Sequence, residues 1–114
     1  MFINRKEKIN IPMPPDEFKK ILELSNNLVI KNNSKLYFVY MPGYFQYFEK
    51  HNKSAYYYSV REIVKNLNIP FIDLDEKVNK KEKNPLNLYP FNMPGHYNEE
   101  GYRKAAQTIY KFTM

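Results

Sequence analysis

Two short apolar runs constrain this chain more than any other feature. Leu36-Tyr37-Phe38-Val39-Tyr40 stops at Pro42–Gly43, and Ile69-Pro70-Phe71-Ile72-Asp73-Leu74 follows later in the chain. Both are continuous rather than alternating, the pattern of strands covered on two faces inside a parallel sheet. Between them Tyr57, Val60, Ile63, Val64 and Leu67 recur at helical spacing. Ser54 is placed to cap that helix, and Asn66 and Asn68 to end it before Pro70. Strand, helix and strand within about 40 residues make a βαβ unit, with parallel strands and a right-handed crossover.

The flanks read as two more helices. Pro15 suits a first helical turn, with Asp16 and Glu17 at its positive end. Phe18, Ile21, Leu22, Ser25, Leu28 and Val29 then form an apolar stripe that Asn32-Asn33-Ser34 terminates. Near the other end Asn98 is a good N-cap, followed by Glu99 and Glu100 and by a face of Tyr102, Ala105, Ala106, Ile109 and Tyr110. The expectation is an α/β chain with parallel strands near 35–41 and 69–74 and helices near 15–32, 54–67 and 98–112. Residues 1–13, with Ile9 and Ile11 alternating, suit an edge strand or an arm. Residues 43–53 read as an aromatic loop or short helical turn. Residues 75–95 form a long connection, of which 76–83 reads as a solvated turn of helix; such long loops often carry function.

Composition removes several classes. The chain has no Cys, so it has no disulfide, thiolate metal site or cysteine nucleophile. His51 and His96 are the only histidines, too few for a structural zinc site. The length of 114 residues allows one domain, 1–114, and 43% apolar residues argue against disorder. No apolar run approaches the roughly 20 residues of a membrane span. The opening MFINRKEKINI lacks a signal-peptide apolar core, so the chain, read as complete, is expected in the cytoplasm. The net charge of +6 comes mostly from dispersed Lys, with Arg only at Arg5, Arg61 and Arg103. That dispersal does not favour nucleic acid, and the Tyr/Phe cluster from 37 to 58 reads as core and cleft wall.

The segment with chemical content is Gly95-His96-Tyr97-Asn98-Glu99-Glu100-Gly101-Tyr102. It sets a histidine on the loop feeding a helix N-terminus, at the rim of the sheet where open α/β folds bind ligands. There an imidazole can serve as a general base or simply be structural. His51, in the polar stretch 49–53, reads as a surface residue. Asp73 and Asp75 close a strand at the sheet's carboxyl edge and are candidates either for a carboxylate near His96 or for a turn or cap.

The order LYFVYMP, helix, IPFIDL, long loop, GHYNEEGYRKAA resembles the C-terminal half of the SGNH (GDSL-type) hydrolase superfamily, over roughly residues 17–112. These are esterases, lipases and acyl-transferring relatives. His96, Asn98, Gly101 and Ala105–Ala106 stand where that superfamily's last block carries its catalytic His, Asn, Gly and small-residue helix. The resemblance implies a partial flavodoxin-like α/β/α sandwich and serine acyl transfer, with His96 as base and no metal or organic cofactor. Three departures stand out. The Gly-Asp-Ser block is absent, and Ser25, Ser34, Ser54 and Ser59 lie in none of its contexts. The Gly-x-Asn-Asp block that supplies an oxyanion donor is absent. Met93 stands three before His96, where the superfamily commonly has Asp.

The chain is therefore expected to be the His-bearing C-terminal part of a larger SGNH-type domain, inactive alone, whose substrate is a small acyl ester such as an acetylated glycan. The alternative is a non-catalytic α/β module that binds a protein or glycan partner. Ester turnover lost on His96→Ala discriminates the two. An unpaired strand edge and an uncovered apolar face also lead us to expect self-association, or completion by a missing N-terminal half.

Overall fold

A computed structural model describes residues 12–48 and 55–114. Two strands, β1 (Phe38–Tyr40) and β2 (Phe71–Asp73), pair in parallel with Phe38 opposite Phe71, Val39 opposite Ile72 and Tyr40 opposite Asp73. Helix α1 spans Asp16–Lys31, α2 Phe45–Phe48, α3 Tyr57–Asn66, α4 Leu74–Lys77 and α5 Glu99–Thr113. The architecture is mixed α/β with a two-stranded parallel sheet among the described residues.

Side-chain alternation along the strands sets the layers. Phe38, Tyr40, Phe71 and Asp73 share one face. Phe38 stacks on Phe71 at 5.6 Å, and Tyr57 of α3 meets Tyr40 edge-on at 4.9 Å. Phe18 of α1 meets Phe38 edge-on at 6.2 Å, and the Asn26 amide donates to the Leu67 carbonyl at 3.3 Å. Helices α1 and α3 therefore lie together on this face. Val39 and Ile72 point the other way, into the core of Tyr44, Leu74, Val78, Leu88, Tyr89, Tyr97 and Ala105. Helix α5 and the 75–95 connection cover that second face.

Helix ends follow local chemistry. Asn33 and Asn68, both left-handed at φ 59°, turn the chain out of α1 and α3. Pro15 sits at the N-cap of α1, one residue before the helix, and not inside its first turn. The Ser54 cap, His51 and the alternating Ile9 and Ile11 lie outside the described residues. The apolar stripe of α1 is only half used: Phe18, Leu22, Ser25 and Val29 are half-buried, whereas Ile21, Leu24 and Leu28 are exposed. On α5, Ala105 is buried and Ala106 exposed.

Two expectations need correction. The second strand does not include Leu74. The Asp73 carboxylate accepts from the Asp75 N–H at 3.0 Å and the Glu76 N–H at 3.3 Å, which caps α4 and ends the strand. The 76–83 stretch is not a wholly solvated turn either. Val78 and Asn79 are buried, at the end of α4 and the start of a 3-10 turn, Asn79–Lys81. Further turns at Pro85–Leu88 and Pro90–Asn92 complete the connection. Among the described residues no helix is long and apolar enough to cross a membrane.

Candidate functional site

The His96 loop is held by its neighbours. The Tyr97 ring is 2% exposed, and its hydroxyl donates to the Asn79 side-chain oxygen at 2.5 Å. The Asn79 amide donates to the Tyr89 hydroxyl at 3.0 Å, which in turn donates to the Pro42 carbonyl at 3.0 Å. This chain of bonds ties the loop after β1, the start of the 75–95 connection and the His96 loop into one buried unit. Each member is both satisfied and needed, because an unpaired polar group at this depth costs about 1–3 kcal/mol. Burial raises the pKa of both tyrosines, so the hydroxyls stay protonated and keep donating at neutral pH.

Asn98 closes the other side. Its side-chain oxygen accepts from the Gly101 N–H at 2.9 Å, its amide donates to the Asn87 carbonyl at 2.8 Å, and its N–H donates to the Leu88 carbonyl at 2.7 Å. The N-cap of α5 is thereby fastened to the turn at 85–88. Gly101 is required by the same packing. A Cβ there would stand 2.7 Å from the Cβ and ring of Tyr97. The spacing Tyr97–Asn98–Gly101 thus has a physical cause: the cap takes the Gly101 N–H, and the missing side chain admits the tyrosine.

His96 sits between these anchors, exposed on the α5 side of the sheet. Its Nδ1 lies 2.7 Å from the carbonyl oxygen of Tyr97, and its ring lies 5.8 Å from that of Tyr102. A carbonyl only accepts, so Nδ1 carries the hydrogen and Nε2 of the neutral ring keeps its lone pair. The ring is therefore oriented by a neutral dipole.

Neither carboxylate candidate supplies that support. Asp73 lies on the opposite face, where it accepts from the Tyr57 hydroxyl and caps α4. Asp75 is fully buried in α4; desolvation raises its pKa, opposed by a hydrogen bond with Gln46 and by the charge of Lys80. Met93 is 58% exposed. The candidate serines have other roles. The Ser59 hydroxyl is buried against the Pro12 and Tyr56 carbonyls at 2.7 and 3.1 Å, Ser34 is exposed near the Asn32 carbonyl, and Ser25 is half-buried on α1.

The loop before His96 carries exposed apolar groups. Phe91 is 93% exposed and left-handed at φ 53°, and Asn92 follows at φ 54°. A left-handed non-glycine residue costs about 1 kcal/mol or more and persists only when its surroundings fix it. Here the Tyr44 hydroxyl donates to the Asn92 carbonyl at 2.8 Å.

Sequence reasoning missed Asn79, Tyr89 and Tyr97 as the unit behind the loop. The available signal was Leu74 and Val78, four apart inside a charged stretch, with Asn79 next to them. No family model matches the chain, nor does any curated protein or solved structure.

Proposed function

We propose that this chain is the histidine-bearing part of an SGNH-type serine ester hydrolase or acyltransferase, with a flavodoxin-like α/β/α sandwich and with His96 as the general base. The observation that carries the reading is the hydrogen bond from His96 Nδ1–H to the Tyr97 carbonyl, which leaves Nε2 of an exposed, anchored ring able to accept a proton.

In this reading a serine hydroxyl attacks the ester carbonyl, Nε2 takes the serine proton, and the same proton passes to the departing alcohol. The 114 residues contain no Gly-Asp-Ser block, so the serine and the oxyanion donors come from outside them. A carbonyl oxygen stabilises the imidazolium less than a carboxylate does, which fits Met93 in place of Asp. Exposed Phe91 and Met93 on the preceding loop supply apolar surface for a small acyl group.

The test uses a fluorophosphonate probe, with 4-nitrophenyl acetate as substrate, on the native gene product and on the 114-residue chain. The native product should label on a serine outside residues 1–114, and its esterase rate should fall by about a thousandfold or more in His96→Ala. The chain alone should not exceed background. No serine labelling in the native product overturns the reading in favour of a non-catalytic binding module, and a loss below about tenfold in His96→Ala overturns it by removing His96 as the base.

A further inference from the structure

We propose that the open groove along the outer edge of β2 is a docking slot for an extended, acidic peptide segment of a partner protein, which adds a strand to the sheet. The inference is independent of the acyl-transfer reading and uses none of the His96 loop.

The backbone phase of the sheet comes first. The Phe38 N–H donates to the Pro70 carbonyl at 2.9 Å, with Phe38 in register with Phe71. In a parallel ladder successive residues turn their N–H and C=O groups to opposite sides. The backbone groups of Ile72 therefore face β1, and those of Phe71, with the N–H of Asp73, face away from it. A groove of about 950 Å³ lies on that outward side: residues 68–71 and Asp73 line it, and no residue of β1 does. An exposed edge of this kind is a template for strand addition.

The walls define the partner's chemistry. Arg61 and Lys65 of α3 line the groove together with Lys77 and Lys80. The groove's two acids are already engaged, Glu76 with Lys80 at 2.7 Å and Asp73 with the Tyr57 hydroxyl. Among the described residues Arg61, Lys65 and Lys77 make no ion pair, and Lys77 lies 5.6 Å from the centre of the Phe112 ring. These three unpaired cations outnumber the Asp73 carboxylate, which a hydroxyl does not neutralise, and favour an acidic strand. The same cations, on a chain of charge +6, disfavour a second copy. Outward-facing amide and carbonyl groups at the groove floor match a peptide ladder better than a nucleic-acid backbone, which offers them no alternating partner.

The probe is a blocked heptapeptide of alternating glutamate and valine, read by amide hydrogen exchange and NMR titration of the full chain. Controls are the lysine–valine analogue and a ten-nucleotide oligouridylate. The acidic peptide should slow exchange at Phe71 and Asp73 by about tenfold or more. Lys65→Glu with Lys77→Glu, both exposed, should raise its Kd by about tenfold, and Lys111→Glu, outside the groove, should not. Unchanged exchange at Phe71, or equal binding of the lysine–valine peptide, overturns the proposal. Tighter binding of the oligouridylate overturns it in favour of nucleic acid. Protection confined to Phe71 and Asp73 that grows with protein concentration and without peptide overturns it in favour of a second copy at this edge.

Discussion

Gly101 shows how single atoms fix the candidate site. It is the third residue of α5, so a bare helix-propensity argument gives Gly101→Ala a gain of about 1 kcal/mol. The added Cβ would meet Tyr97 at 2.7 Å, and one of the atoms it meets is the Tyr97 Cβ, which moves only with the backbone. Overpacking of this kind costs about 1–3 kcal/mol. The clash wins: Gly101→Ala should lower the urea midpoint with an unchanged m value, and a stabilised variant would show that Tyr97 has room to shift. Legibility at this scale divides by distance along the chain. The Asn98 cap was readable because its partner, the Gly101 N–H, is three residues away. The pairing of Asn79 with Tyr89 and Tyr97 was not, because it joins residues 10 and 18 positions apart through a turn that no local pattern announces. The position of His96 on the loop feeding α5 was legible; the carbonyl that its ring meets depends on the loop's conformation and was not.

At the scale of elements, the βαβ unit and all three long helices were legible, because hydrophobic periodicity reports which face is covered. Their lengths were not. The expected strands over 35–41 and 69–74 shrink to three residues each; at the end of β2 the reason is the cap at Asp73, which starts α4 in place of further pairing. Nor does periodicity say how well a stripe is covered. Helix α1 has no fully buried residue, and Leu24 is 69% exposed, whereas Ile72 on β2 is completely buried in the core cluster. Leu24→Ala should therefore change stability by no more than about 0.5 kcal/mol. Ile72→Ala should cost about 2–5 kcal/mol, from lost transfer energy and the cavity left behind. Equilibrium unfolding of the two variants checks this. Equal losses would mean that α1 packs on something that its exposed stripe does not reveal. The same contrast predicts that α1 amides exchange faster than those of α5.

The molecule as a whole has one small core and several uncovered apolar surfaces. The largest buried cluster centres on Ile72, Leu74, Leu88, Tyr89 and Tyr97, on the α5 side, and a smaller buried set, Tyr57, Val64 and Ile69, lies with α3. On the other side Ile21, Leu24 and Leu28 face solvent, and Tyr110 and Phe112 do so on α5. Both strands are sheet edges among the described residues. A domain's net stability is only about 5–15 kcal/mol, a small difference between burial and chain entropy, so a core to which α1 adds no buried residue leaves little margin. Exposed apolar surface is removed from water by association, and whatever binds the folded form stabilises it by mass action. The ion pairs Lys80–Glu76 and Arg103–Glu100 are exposed and screened by solvent, and they do not close the gap. The 114-residue chain alone should therefore melt broadly, with a transition that moves upward as protein concentration rises, and should sediment as more than one species. Replacing Leu24 and Leu28 by Lys should reduce that concentration dependence while costing little in the fold, because neither side chain is buried. A monodisperse chain with a sharp, concentration-independent transition would instead mean that the two-stranded sheet with its partly used α1 stripe is sufficient by itself, and that nothing further is needed to complete it.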